Sequence, residues 1–195
     1  MNYARRQQYR QQYRRLSRAA ATAMASVGAV LLALAVASAG AVSAAGVLLM
    51  LAVGFGLYAR HWLSLAERSR VGARSEDEVR RALAPLQGEG WRLRHSLRWR
   101  GRGDIDSLAI APTGVGFAVE TKTRRYGENH LARVREQAAW LARRRRRWCR
   151  CGAVGVLCVV RASGLERVER DVIVVSIDRL LPTLAAIADD SVKRF

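Results

Sequence analysis

Residues 19–59 form a run of 41 consecutive positions without a charged side chain, and this run constrains the chain more than any other feature. A single helix of that length, at about 1.5 Å per residue, would be about 60 Å long, roughly twice the hydrocarbon thickness of a bilayer. We therefore predict a transmembrane hairpin of two helices, at residues 19–37 and 42–58. The small residues at positions 38–43 favour a tight turn between them.

Alanine recurs at every fourth position of the first predicted helix, which would give the helix a smooth stripe for close packing. One interpretation is that the stripe packs the hairpin or joins copies into a homo-oligomer. The other is that it only reflects an alanine-rich composition. The stripe consists of Ala21, Ala25, Ala29, Ala33 and Ala37.

Arginine flanks the apolar run on both sides, and the first 60 residues contain seven arginines and no acid. The positive-inside bias then predicts that both termini are cytoplasmic. A cleaved signal peptide is the competing interpretation, but a second apolar stretch follows at once. In the basic tail, residues 1–18, arginines recur at helical spacing; they either bind anionic lipid head groups or only fix the topology.

The rest of the chain is basic as well, but mixed in sign. After the seven N-terminal arginines are subtracted from the net charge of +18, residues 61–195 carry +11. This excess suits a polyanionic partner, either nucleic acid or an anionic membrane surface. We divide this part into a juxtamembrane linker at residues 60–70 and a domain at residues 71–195.

From residue 71 onward the hydrophobic pattern alternates between helical and strand periods. Ser75 with Glu78 three residues later has the form of a capping box and predicts a helix start. The order of elements is helix, three strands, helix, strand, with a further strand and helix appended, which predicts a mixed α/β sheet. The predicted helices are 75–86, 129–147 and 177–188, and the predicted strands are 91–99, 104–111, 115–122, 153–160 and 171–176.

The loop Pro112-Thr113-Gly114 predicts a hairpin that pairs residues whose numbers sum to 226. Asp106 then lies opposite Glu120, within about 5.5 Å at Cβ, and Lys122 projects from the same face. Two carboxylates this close repel each other unless a cation joins them. Oxygen ligands of this kind suit Mg²⁺ or Mn²⁺, and a nearby lysine can position or activate a water for attack on phosphorus.

Lysine is rare in this chain: Lys122 and Lys193 are lysine, and the other 32 basic residues are arginine. An ammonium differs chemically from a guanidinium, so the lysine at position 122 favours a functional role. The bland alternative for Asp106, Glu120 and Lys122 is a surface ion pair across two strands.

These residues carry a resemblance to the nuclease-related domain family, NERD, a branch of the PD-(D/E)XK nuclease-like superfamily. The resemblance covers residues 71–184 and implies a restriction-endonuclease-like core. The family's Gly-x-x-Gly-Glu segment is matched by Gly72-Ala-Arg-Ser75-Glu76, with serine for the second glycine. Its Ile-Asp-His segment is matched by residues 105–107, with Ser107 for the histidine, and its Gly-Val-Phe-x-(Asp/Glu)-x-Lys strand by residues 114–122.

The resemblance implies metal-dependent hydrolysis of phosphodiester bonds. Asp106, Glu120 and the Thr121 carbonyl would bind the metal, and Lys122 would lie beside the attacking water. Glu76 and Gln137 would support them. Without the resemblance, Glu76 would serve the helix N-terminus and Gln137 would bond a backbone carbonyl in the core.

Exposed arginines give the predicted nucleic-acid surface. The run at residues 143–147, followed by Trp148, suits phosphate contact and base stacking of DNA or RNA, although a helix C-terminus or anionic lipid would also favour it. The rival function is a non-catalytic module that binds nucleic acid or a protein at the membrane. The arginines assigned to nucleic acid are Arg102, Arg124, Arg125, Arg143, Arg144, Arg145, Arg146 and Arg147.

Overall fold

A computed structural model describes residues 3–100 and 103–192 of the chain. Arg102, one of the predicted nucleic-acid contacts, lies outside the described residues. The chain divides into two units, Met1–Val71 and Gly72–Phe195, which we call the helical hairpin and the sheet domain.

Two long helices form the hairpin, α1 at Tyr3–Ser38 and α2 at Val42–Leu83. The turn between them lies where the small residues predict it. Gly40 adopts a φ of 88°, in the left-handed region that glycine tolerates, and its N–H donates to the Ala37 carbonyl at 3.0 Å.

Helix α2 continues far beyond the second predicted span and includes residues 60–70, which we predicted as a linker. The predicted helix start at Ser75 is wrong, because Ser75 lies inside α2. Its buried hydroxyl is 3.0 Å from Thr123 Oγ1, so it makes a tertiary hydrogen bond. The first proline of the chain, Pro85, comes after α2 and lies in a 3₁₀ turn, Ala84–Glu89.

The hairpin packs on small residues, and the alanine stripe coincides with the packing face at Ala29 and Ala33 only. Ala21, Ala25 and Ala37 are exposed, whereas Ala33 is buried. A strict four-residue spacing drifts around a helix of 3.6 residues per turn, so it cannot stay on one face. The face that packs in α1 follows alternating steps of three and four residues, at positions 15, 19, 22, 26, 29, 33 and 36.

Polar contacts also join the two helices. Ser26 Oγ donates to the Ala52 carbonyl at 2.7 Å, and Arg15 donates to the Leu65 carbonyl at 3.0 Å. The Arg18 guanidinium lies 4.9 Å from the ring centroid of Trp62. Most large apolar side chains of both helices point outward. By length and composition, the two helices could cross a membrane.

The sheet domain contains six strands in the order β1-β2-β3-β4-β6-β5. Strands β1, β2 and β3 are antiparallel, β3, β4 and β6 are parallel, and β5 is an antiparallel edge strand. The predicted mixed α/β sheet is confirmed. The elements are β1 Arg92–Arg98, β2 Asp104–Ile110, β3 Gly116–Lys122, α3 Glu128–Arg144, β4 Ala153–Val159, β5 Glu166–Glu169, β6 Val172–Ser176 and α4 Ile177–Val192.

Strand β5 is absent from the sequence prediction. It is short and charged, and its only apolar residue, Val168, is exposed, so it lacks an apolar face. A two-residue turn joins it to β6, with Glu169 paired to Val172. Arg170 and Asp171 both have positive φ, at 49° and 62°, as hairpin turns of this length require.

Both faces of the sheet are covered. The C-terminal part of α2 and helix α4 bury Val79 and Leu184 with Phe117 of β3 on one face. Helix α3 covers the other face, where Leu141 packs with Ile110 and Ala118. Gly155 of β4 allows this close approach, because a Cβ there would lie 2.9 Å from Val134 Cγ1. Gln137 lies on the same apolar face of α3 as Val134 and Leu141 and is buried with them.

Candidate active site

The β2–β3 hairpin sets the register of the site. The pairing sum of 226 is confirmed from Ser107↔Val119 to Ile110↔Gly116. The loop closes with a hydrogen bond from the Gly114 N–H to the Ala111 carbonyl at 2.9 Å, and Gly114 has a φ of 91°. Asp106 and Glu120 adjoin the Ser107↔Val119 pair, each one residue farther from the loop on its own strand.

Asp106 is held by the backbone of β3, because the Thr121 N–H donates to its Oδ2 at 2.8 Å. Burial first, and then the charges of Glu120 and Glu76, raise the pKa of Asp106 to about 8. Both charges belong to acids that the sequence assigns to the site. A carboxyl with this pKa is largely protonated at pH 7.

Glu120 is almost completely buried, which is rare for a carboxylate and requires polar partners. Lys122 Nζ donates to Glu120 Oε1 at 2.9 Å. On the other side, Gln137 Nε2 from α3 lies 3.5 Å from Glu120 Oε2. The structure thus brings together three of the residues that the sequence assigns to the site.

Glu76 comes to the site from α2, together with an arginine that sequence reasoning missed. Arg80 Nη2 lies 3.5 Å from Glu76 Oε2 and donates to Ser96 Oγ of β1 at 3.1 Å. Ser96 has a φ of 55°, a left-handed conformation that is uncommon for serine. It lies between the pairs His95↔Ser107 and Leu97↔Ile105, and thus opposite Asp106. The four-residue spacing from Glu76 to Arg80 was the available signal.

A histidine reaches the position next to Ser107 from the neighbouring strand. The resemblance to NERD leads us to expect a histidine at position 107, where this chain has serine. His95 of β1 is paired with Ser107, and its Nδ1 lies 2.9 Å from Ser107 Oγ. Burial, followed by the Arg80 charge, lowers the pKa of His95, so the ring is neutral at pH 7. Sequence reasoning missed His95, because only the strand register reveals it.

His130 lies at the start of α3, close to the charged residues of the site. The Gly127 N–H donates to His130 Nδ1 at 3.0 Å, which leaves the proton of the neutral ring on Nε2. Burial and the Lys122 charge lower the pKa of His130, whereas the Glu120 charge raises it. The ring is therefore a neutral hydrogen-bond donor beside the site.

The donor set fits an oxygen-binding cation in part. The N–H and C=O groups of one strand residue point toward the same neighbouring strand, so the Thr121 carbonyl faces β2 and Asp106. Gln137 Oε1 is buried and has no hydrogen-bond partner within the described residues. Across residues 3–100 and 103–192, no group of three or more His, Cys, Asp and Glu side chains is placed to hold a metal ion. The ligands implied by the resemblance are two carboxylates and a backbone carbonyl.

The predicted arginines lie on two separate surfaces. Arg124 and Arg125 are exposed in the loop that directly follows Lys122. The run at residues 143–147 is also exposed, and it is followed closely by Cys149, which lies beside Gly116 at the opposite end of β3 from Glu120. Four residues of strand separate the two ends by about 13 Å. In that second surface, the Arg94 and Arg145 guanidiniums lie 4.3 and 4.8 Å from the ring centroid of Trp148.

One family model matches the segment of the chain that contains these residues. Residues 71–159 match the NERD family model, the nuclease-related domain. The match supports the NERD family for this segment and suggests a nuclease-related function. It includes all five predicted catalytic residues, whereas β5, β6 and α4 lie beyond it. No curated protein and no solved structure matches the chain significantly.

Proposed function

We propose that this protein is a membrane-anchored, metal-dependent nuclease that hydrolyses phosphodiester bonds of DNA or RNA. The observation that carries the proposal is the buried Glu120, placed between Lys122 and Gln137 and electrostatically coupled to Asp106. Perturbed, buried acids beside a lysine are typical of active sites. The match to the nuclease-related domain supports the same class of reaction.

Asp106, Glu120 and the Thr121 carbonyl would hold Mg²⁺ or Mn²⁺. The bound cation would neutralise charge on the phosphate and lower the pKa of a bound water. The chain's own residues prepare this site: the Thr121 N–H fixes one carboxylate oxygen of Asp106, and Gln137 orients Glu120. Glu76 acts through its charge on Asp106.

Lys122 is placed to act on the reacting phosphate or on the attacking water. Its ammonium donates to Glu120 at 2.9 Å and remains partly exposed, so it can also reach a bound phosphate oxygen. Phosphoryl transfer depends mainly on such positioning and on electrostatic stabilisation.

Two long apolar helices and arginine-rich flanks support the membrane anchor, with both termini in the cytoplasm. The arginines near the start of α1 would then contact anionic lipid head groups. A homo-oligomer formed through the hairpin is a further expectation, which the mass of the detergent-solubilised protein would test.

The proposal is tested with the full chain in detergent, incubated with labelled single- and double-stranded DNA and RNA and with Mg²⁺ or Mn²⁺. We expect Glu120→Gln and Lys122→Ala to reduce cleavage by about 100-fold or more, the usual contribution of such groups. Glu136→Gln, at an exposed acid of α3, and Lys193→Ala are matched controls that should cleave normally.

The alternative function is a non-catalytic module that binds nucleic acid or a protein at the membrane. It is favoured by the closed ion pair between Lys122 and Glu120, which satisfies both charges without a metal. Oligonucleotide binding without metal-dependent cleavage in the same assay would establish nucleic-acid binding. If the protein neither binds nor cleaves the oligonucleotides, a protein partner is favoured.

A further inference from the structure

A cleft lies beside the site, between the loop after β3 and the β5 hairpin. Residues 124–128 and Leu131 form one wall, and Arg167, Glu169 and Arg170 form the other, around a volume of about 650 Å³. We call it the β5 cleft. Its second wall belongs to the strand that the sequence pattern did not reveal and that lies beyond the family match.

The β5 cleft is rich in arginine. Arg124 and Arg125 are exposed in one wall, and Arg167 and Arg170 in the other. The second pair has acidic or phenolic partners: Arg170 contacts Glu128, and Arg167 contacts Glu169 and the Tyr126 hydroxyl. The side chains of Arg124 and Arg125 form no ion pair or hydrogen bond with the other described residues. The cleft therefore contains two guanidiniums that are free to bind an anion and two that are paired with acidic side chains.

The backbone at the tip of the hairpin places Arg170 against the start of α3. Arg170 and Asp171 are consecutive non-glycine residues in the left-handed region, each at a cost of about 1–2 kcal/mol. Asparagine and glycine are the usual residues of such a turn. A strained turn that carries a charged side chain into a cleft is a feature commonly found at ligand sites.

The cleft is continuous with the candidate active site. Lys122 precedes Arg124 by two residues, so the β3–α3 loop leads directly from one to the other. His130, which lies near Lys122 and Glu120, accepts a hydrogen bond from the N–H of Gly127, a residue of the cleft wall. A chain of phosphates bound at the active site would pass from there into the β5 cleft.

We propose that the β5 cleft binds single-stranded nucleic acid next to the phosphate at the active site. The assignment to a position next to the reacting phosphate rests on the proposed nuclease function, whereas binding itself does not. Guanidiniums bind phosphate oxygens in pairs of hydrogen bonds, and the ring of Tyr126, half-buried in the cleft wall, offers a surface for a base. Bound phosphates would compete with Glu128 and Glu169 for Arg170 and Arg167.

The cleft arginines are tested by fluorescence anisotropy with a labelled single-stranded oligonucleotide. The full chain in zwitterionic detergent carries Glu120→Gln and is kept in EDTA, so that cleavage is blocked. We expect Arg124→Ala/Arg170→Ala to weaken binding about 10-fold and to reduce the slope of log K against log salt by about 1.4, the value for two lost contacts with a single strand. Arg135→Ala/Arg179→Ala removes the same charge from exposed positions elsewhere and should have a smaller effect.

Substitution of the acids of the cleft should change oligonucleotide affinity in the opposite direction. Glu128→Gln/Glu169→Gln should tighten oligonucleotide binding by several-fold, because both competitors of the phosphates lose their charge. Glu136→Gln/Glu166→Gln, at exposed acids outside the cleft lining, is the control. A loss of folding would weaken binding in every variant, so tighter binding cannot result from it.

Three results would overturn the inference. Equal weakening by the cleft and control arginine pairs would show that only net charge matters. A variant that binds duplex less but single strands normally would assign the cleft to a duplex. Reduced binding of short-chain phosphatidylserine with unchanged oligonucleotide binding would assign the cleft to lipid. If oligonucleotide binding depends on the cleft but the native chain shows no metal-dependent cleavage, the proposed function alone is overturned.

Discussion

The helical hairpin and the sheet domain place the same kinds of side chain in opposite environments. In the hairpin, Ala33 and Ala52 are buried, whereas Leu31 and Met50 expose 61% and 78% of their surface. In the sheet domain, Phe117 and Leu108 are fully buried. The hairpin therefore gains its packing from close backbone approach between small residues, and the sheet domain from burial of large ones.

The difference shows what each unit needs from its surroundings. A hairpin whose large apolar side chains point outward is stable when those side chains meet an apolar medium, as the proposed membrane anchor would provide. The sheet domain satisfies its apolar surface internally. Its buried carboxylates, Asp106 and Glu120, are the costly exception, and they lie at the candidate site.

Truncation of one phenylalanine in each unit should give the largest difference in stability between the hairpin and the sheet domain. Phe117→Ala removes a buried ring that packs against Trp91, with ring centroids 5.7 Å apart, and should cost about 3–5 kcal/mol. Phe55→Ala, at a hairpin side chain that is 40% exposed, should cost much less. Thermal unfolding of the full chain in detergent, followed by tryptophan fluorescence, measures both. Equal losses would contradict the comparison.

A charge on an exposed apolar position distinguishes the two kinds of surface. Leu31→Arg should cost about 2.5–3.5 kcal/mol if the hairpin spans a membrane, and should reduce the fraction of chain that resists alkaline extraction. Val168→Arg, on the 72% exposed edge strand, should leave that fraction unchanged. Normal membrane retention of Leu31→Arg would argue against a spanning hairpin.

Glycine substitutions sharpen the comparison at the level of backbone packing. Gly155→Ala places a Cβ 2.9 Å from Val134 Cγ1 and 3.2 Å from the Val134 carbonyl oxygen, which should destabilise the sheet domain by about 1–3 kcal/mol. Gly54→Ala meets nothing within 4 Å and should be neutral or slightly stabilising, because alanine favours helices. Chemical denaturation of the two variants provides the test, and a destabilising Gly54→Ala would contradict the open space at this position of α2.

The pH dependence of stability should come mainly from the sheet domain, because 15 of the 16 acids lie in it and the hairpin contains Glu67 alone. The pKa of Asp106 is raised to about 8, so its contribution to stability is complete below the ordinary pKa of the carboxyl and is lost as pH rises through 8. Asp106→Asn stays neutral and should gain about 5–10 °C in melting temperature relative to the native chain between pH 6 and pH 9. A constant difference across that range, measured in EDTA, would contradict this assignment.

Much of the sheet was predictable, because local signals agreed with the tertiary structure. The Pro112-Thr113-Gly114 loop determines the register of β2 and β3, and the helical period of α3 predicts that Gln137 is buried. Ser75 shows the opposite case. Its capping signal predicts a helix start, but α2 continues through this position, and the hydroxyl forms a hydrogen bond with Thr123 instead. The alanine repeat, for which packing was one of two interpretations, shares Ala29 and Ala33 with the packing face of α1, because a strict four-residue repeat drifts around the helix.

The rest of the site depends on long-range geometry that no local pattern reveals. His95 reaches Ser107 through the pairing of β1 with β2, so its position in the sequence carries little information. For Arg80 the four-residue spacing from Glu76 was a local signal, but its contact with Ser96 depends on the packing of α2. Strand β5 has no apolar alternation, and the cleft that it completes was therefore invisible in the sequence.

The pairing of Lys122 with Glu120 has a practical consequence for chemical labelling. The printed sequence contains two lysines, and Lys122 lies in the candidate site with 23% of its side chain exposed. An ammonium that donates to a carboxylate must lose a proton and leave its partner before it can attack an acylating reagent. The acylation rate of this one side chain, read by mass spectrometry, therefore reports how often the ion pair opens.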